Sequence, residues 1–195
     1  MKSMTMKSTL LTCALIGYSL ITHAQDVFSN KTNTALEKVI KDYPNRFKNI
    51  KGEVLEQTPR STEYRSTIQV AGSSSCIVTR ISAAKNEAYS WDCTAFATQN
   101  FDQAKIKFKE IYDQIENTII KIEGQKAFIL SGRYSTPSQE KVQTSINFEL
   151  LPATETMKKL RIDLVFQQVL GKWTISLRVY DHDYAEDAST AVVSN

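Results

Sequence analysis

Apolar residues recur along this chain at two spacings, and the alternation between them lays out the elements. From 33 to 42, Leu36, Val39 and Ile40 share one side of a helix, and Tyr43-Pro44 stops it, because the residue before a proline avoids the helical region. Residues 47–56 read as a strand entered through Asn49-Ile50-Lys51-Gly52. Tyr64, Ser66, Ile68 and Val70 alternate with Arg65, Thr67 and Gln69, the pattern of a half-buried strand, and Ala71-Gly72-Ser73-Ser74 is a turn. Residues 75–82 and 87–95 are strand-like around a turn at Ala83-Ala84-Lys85-Asn86.

The longest periodic run follows. Phe101, Ala104, Phe108, Ile111, Tyr112, Ile115, Ile119 and Ile122 recur every three or four residues, which predicts one helix over 101–122. Asn100 or Asp102 can cap its start and Gly124 can end it in the left-handed conformation. Beyond it, Phe128 and Leu130 can face Phe148 and Ile146 across a polar loop. Leu160, Ile162, Leu164 and Phe166 alternate with polar residues. A turn at Gly171-Lys172 would set Leu170 opposite Trp173, Phe166 opposite Leu177 and Leu164 opposite Val179, all six on one face.

This order predicts an α+β fold made of two helix-plus-four-strand units (α-β4-α-β4), with an antiparallel sheet and the helices packed on one face. Ile50-Lys51-Gly52 resembles Ile122-Glu123-Gly124, and Thr67-Ile68 resembles Ser145-Ile146, so an internal duplication with halves 30–97 and 100–184 is part of the expectation.

The first 24 residues change the picture most. Lys2 and Lys7 precede an apolar run from Leu10 to Ile21, and Thr22-His23-Ala24 ends in a small residue. That is the layout of a secretory signal peptide, too short to span a bilayer comfortably. Residues 1–24 are therefore read as a signal peptide, 25–184 as a single α+β domain and 185–195 as a disordered tail. Cys13 lies inside the apolar run, not behind it where a lipid-anchored cysteine belongs, and leaves with the signal together with His23. The protein is expected to be exported, periplasmic or secreted, with no integral membrane segment after cleavage.

Removing residues 1–24 takes two lysines and no acid, leaving 22 basic and 21 acidic residues, a net charge of +1. A balance so near neutral gives no pull toward nucleic acid or an anionic membrane. Cys76 and Cys93 remain, and outside the cytoplasm a pair reads first as a disulfide. A hairpin centred between Ala84 and Lys85 sets Val78 opposite Trp91, Arg80 opposite Tyr89 and Cys76 opposite Cys93, close enough to bond. A redox role would call for Cys-X-X-Cys spacing, which is absent.

Candidate chemistry is sparse. His182 is the one histidine after residue 24, in Asp181-His182-Asp183-Tyr184, so Asp181, His182 and Asp183 are the metal-ligand candidates; the plainer reading is a solvated strand end. No Gly-X-Ser-X-Gly nucleophile turn and no phosphate-cradling glycine loop occurs. No catalytic residue and no cofactor are assigned. Tyr64, Tyr89, Trp91, Tyr134, Trp173 and Tyr180 fall on strands and could form a binding face, with packing between sheet and helix as the competing role.

The stretch Asp42-Tyr43-Pro44-Asn45-Arg46-Phe47-Lys48-Asn49-Ile50-Lys51-Gly52 resembles one in an uncharacterised family of small exported bacterial α+β proteins. It carries over no catalytic residue. The double helix-plus-sheet plan is also similar to secreted inhibitor and chaperone-like folds that act through a sheet face, an analogy of architecture only. The leading expectation is an exported non-enzymatic module that binds a protein partner through an exposed sheet face. The alternative is a carrier that holds a small apolar ligand between the sheet and the 101–122 helix. An enzyme ranks behind both.

Overall fold

The computed structural model describes residues 31–82 and 87–182; the expected signal peptide (1–24), the expected turn at 83–86, the metal candidate Asp183 and the expected tail (185–195) lie outside the described residues. Helix α1 (Lys31–Asp42) leads through two single 3-10 turns, Tyr43–Asn45 and Lys48–Ile50, into strands β1 (Lys51–Gln57), β2 (Ser61–Ser66), β3 (Ser75–Ser82) and β4 (Glu87–Thr98). Helix α2 (Phe101–Ile115) is followed by β5 (Ile119–Ile120), β6 (Phe128–Gly132), β7 (Gln143–Leu151), β8 (Leu160–Val169) and β9 (Lys172–Asp181).

All nine strands form one antiparallel sheet in the order β1-β2-β3-β4-β9-β8-β7-β6-β5. This corrects the expectation of two helix-plus-four-strand units. The last strand returns to the middle and pairs with β4 from Ser90↔Tyr180 to Thr98↔Trp173, so the two halves share one sheet. The apolar face runs unbroken across that seam: Val78, Trp91, Val179 and Ile162 face one another in register, as do Cys93, Leu177, Leu164 and Ile146. Leu36, Val39 and Ile40 of α1 and Ala104, Phe108, Ile111 and Ile115 of α2 are buried in the same core.

The second unit also gained a strand that periodicity had assigned to helix. Asn100 caps α2 as expected, its side chain accepting from the Gln103 backbone N–H at 2.9 Å. The helix ends at Ile115, not at residue 122. Asn117 takes a left-handed φ of 63°, and its backbone N–H donates to Leu130 at 2.9 Å. Glu116 accepts from the Gly132 N–H at 2.8 Å, and the Tyr112 hydroxyl donates to the Gly132 carbonyl at 2.9 Å. These bonds lock the helix end onto β6. The β-branched run Thr118-Ile119-Ile120 then suits a strand better than a fifth helical turn. Gly124 does take a positive φ, 74°, but in the β5–β6 connection.

Three further boundaries differ. Residues Lys48–Ile50 form a 3-10 turn before β1, with Arg46 and Phe47 both at positive φ, and β2 ends at Ser66 before Ile68 and Val70. The β8–β9 turn is Leu170-Gly171, which pairs Val169 with Lys172, Phe166 with Ile175 and Leu164 with Leu177. Leu170 is 99% exposed instead of facing Trp173. In β6–β7, Leu130 pairs with Leu150, and Phe148 with Gly132, whose missing side chain makes room for the ring: a Cβ there would lie 2.7 Å from it. Each register moved by an even number of residues, so the apolar face kept its side.

Candidate functional site

The hairpin of β3 and β4 has the expected register, Cys76 opposite Cys93, and the two are joined by a disulfide. Both sulfurs point into the core, where Trp91 is wholly buried and donates its indole N–H to Ser66 Oγ at 3.0 Å. The bridge is thus part of the core packing.

The opposite face of the sheet carries the polar chemistry, and among the described residues no helix covers it. A row crosses five strands in register: Ile77, Asp92, Arg178, Asp163 and Asn147. Arg178 Nε donates to Asp92 Oδ1 at 2.6 Å, and Ser90 Oγ donates to Asp92 Oδ2 at 2.6 Å. Asp163 accepts from Asn147 Nδ2 at 2.5 Å and from the Tyr180 hydroxyl at 2.8 Å. The Arg178 guanidinium lies 5.3 Å from the centre of the Tyr180 ring. Burial, together with the bond to Asp163, pushes the Tyr180 hydroxyl up to about 12.

Beside this row runs one of small side chains, Ser75, Thr94, Ser176 and Val165, again in register. Short residues between rows of long ones lower the surface locally. The result is a depression of about 260 Å³, with Gln143 and Gln167 on one side and Ile77, Asp92 and Arg178 on the other. Hydroxyl, amide and guanidinium groups around it supply both donors and acceptors. Such a surface can pair with hydrogen-bonding groups.

The six aromatic candidates do not form a single face. Trp91 and Tyr89 are buried on the helix side. Tyr64 shares that side, opposite Val78, with the Lys51 ammonium 5.1 Å from its ring centre. Tyr134 packs against Tyr112 and Phe108 of α2 at centroid distances of 4.9 and 6.2 Å. Trp173 lies 5.1 Å from Phe101 and 5.4 Å from Phe166. Tyr180 alone is on the open face. Sequence reasoning missed Asp92, Asp163 and Arg178, although each sits at an in-between position of an alternating strand, where a charge repeated on neighbouring strands is a readable sign of a polar face.

Of the metal candidates, Asp181 accepts from the Tyr43 hydroxyl at 3.1 Å, and the backbone N–H of the exposed His182 donates to Lys159 at 2.8 Å. Among the described residues no three His, Cys, Asp or Glu side chains gather as a metal site, and no described helix is long and apolar enough to cross a membrane. Comparison with protein families, with curated proteins and with solved structures returned no match.

Proposed function

We propose that the chain is an exported, non-enzymatic module that binds a protein partner through the sheet face opposite its helices. The observation that carries this reading is the depression along Ser75, Thr94, Ser176 and Val165, framed by side chains able to donate and accept hydrogen bonds. A polar, half-buried concavity on a rigid sheet offers many fixed contacts to a complementary protein surface. The cross-strand disulfide is compatible with an oxidising compartment. The rings of Phe101, Phe108, Phe166 and Trp173 meet between α2 and the sheet at centroid distances of 5.1–5.7 Å, a closed core that gives no support to an apolar cargo there.

The test is capture of a partner from the protein's own exported compartment. Ser75→Arg combined with Gln143→Arg, both at exposed positions on this face, should abolish capture while leaving the melting temperature close to that of the parent. Ile106→Arg on the exposed side of α2 should leave capture intact. Undiminished capture by the double variant would reject the reading.

A further inference from the structure

On the helix side of the sheet, beyond the end of α1, five elements bring charged groups together. Lys51 opens β1, Tyr64 lies on β2, Arg80 on β3, Glu87 and Tyr89 on β4, and Arg46 holds a left-handed position after the 3-10 turn. The Lys51 ammonium sits 4.3 Å from the Tyr89 ring centre and 5.1 Å from that of Tyr64. No carboxylate among the described residues lies within ion-pair distance of it. Arg46 and Arg80 both reach toward Glu87, at 3.6 and 3.5 Å, while the Tyr89 hydroxyl donates to that carboxylate at 2.8 Å. Charge-assisted pairs of good geometry are shorter than either arginine contact, near 2.8 Å. Arg80 Nε is buried with no acceptor, although the guanidinium's Nη2 reaches Thr62 Oγ1 at 3.1 Å.

The local balance is positive. Three cations stand against the carboxylates of Glu87 and Asp42, and Asp42 is already occupied. It accepts from the Asn49 backbone N–H at 2.9 Å, from Asn49 Nδ2 at 2.6 Å and from Asn45 Nδ2 at 3.0 Å. Glu87 alone therefore serves two guanidiniums and a phenol, leaving the ammonium without an anionic partner among the described residues. Burial and the Arg80 charge hold the Lys51 amine below its ordinary value, the sign of a cation short of compensation.

We propose that Lys51, Arg46 and Arg80 form a binding site for an oxyanion, a single carboxylate or phosphate group. Its oxygens would take the free N–H donors of the ammonium and the guanidiniums, and the two tyrosine rings would hold Lys51 in place. The site lies on the other side of the sheet from the partner-binding face, so either can fail without the other.

Calorimetric titration of the full exported chain at low ionic strength, with inorganic phosphate in one arm and acetate in the other, tests it. Saturable binding in either arm is expected, and the arm that saturates names the oxyanion. Lys51→Gln and Arg46→Gln should each weaken it by about tenfold or more, the loss of one charge-assisted hydrogen bond. Lys51→Arg should retain binding, and all three should melt near the parent temperature. Absence of saturation in both arms, or affinity unmoved by the Gln variants, would overturn the proposal.

Discussion

Asp42 shows how much one side chain can organise. Its carboxylate takes three N–H donors from Asn45 and Asn49, and its backbone carbonyl accepts from the Phe47 N–H at 3.1 Å. The chain thereby reverses between α1 and β1 through two left-handed residues, Arg46 and Phe47, and buries Phe47 completely. Asp42→Ala would remove a buried carboxylate that accepts three hydrogen bonds, so chemical denaturation should show a loss of about 1–3 kcal/mol. Sequence reasoning saw the helix stop at Tyr43-Pro44 but read residues 47–50 as strand. Local propensity gives no hint that a carboxylate will hold two residues at positive φ. Tyr180 permits a second prediction. Its hydroxyl is raised from 10.0 to about 12 in the folded protein, so the native state retains this proton longer than the unfolded chain does. The stability this confers is complete below pH 10 and is lost as pH rises toward 12. Titration of unfolding midpoints across that window should show Tyr180→Phe declining less steeply than the parent; equal slopes would place the shift elsewhere.

At the scale of elements, the hardest signal to read was the end of α2. Ile115, Ile119 and Ile122 keep helical spacing, yet beyond Ile115 it is Ile120 that is wholly buried, while Ile119 is 55% exposed. A period of two replaces one near four within three residues, too few for periodicity to register. Asn117, an amino acid that tolerates the left-handed region, was the one readable mark of the break. The β3–β4 hairpin was legible to the residue, because two cysteines, a turn and an alternating pattern all demanded the same register. The β8–β9 turn was legible in parity but not in position. Leu170 and Gly171 take φ of 49° and 75°, the two positive values of a type I′ turn, for which Asn-Gly is the preferred pair. Leu170→Asn should therefore stabilise the protein by about 1 kcal/mol, read as a melting temperature higher by roughly 2–4 °C. Leu170 is fully exposed, so the substitution removes no packing.

For the whole molecule, the alternation of apolar residues correctly gave an antiparallel α+β protein, but strand order is not written in periodicity. Nothing in the local pattern of 172–181 says that it will lie beside β4 instead of ending its own unit; the continuous core decides it. The disulfide binds β3 to β4 on that core, with a sequence separation of 17. The double substitution Cys76→Ser with Cys93→Ser should lower stability by about 3 kcal/mol through the freedom returned to the unfolded chain. A denaturation midpoint unchanged by the substitutions would show that core packing alone holds the hairpin.

The placement of β9 also governs the order in which the protein can be made. Asp92 and Arg178, partners at the centre of the sheet, are 86 residues apart in sequence. Until the last ten-residue strand has emerged, β4 and β8 are both raw edges, each exposing one side of a half-built apolar layer. Loop closure over such distances is slow, and the N-terminal part has no finished core to wait in. A chain ending after Gly171 should accumulate as aggregate, not as a folded half, which expression of the truncated form would reveal. Synthesis must therefore pass β9 before the native state exists, and any vulnerability of the nascent protein is concentrated in that interval.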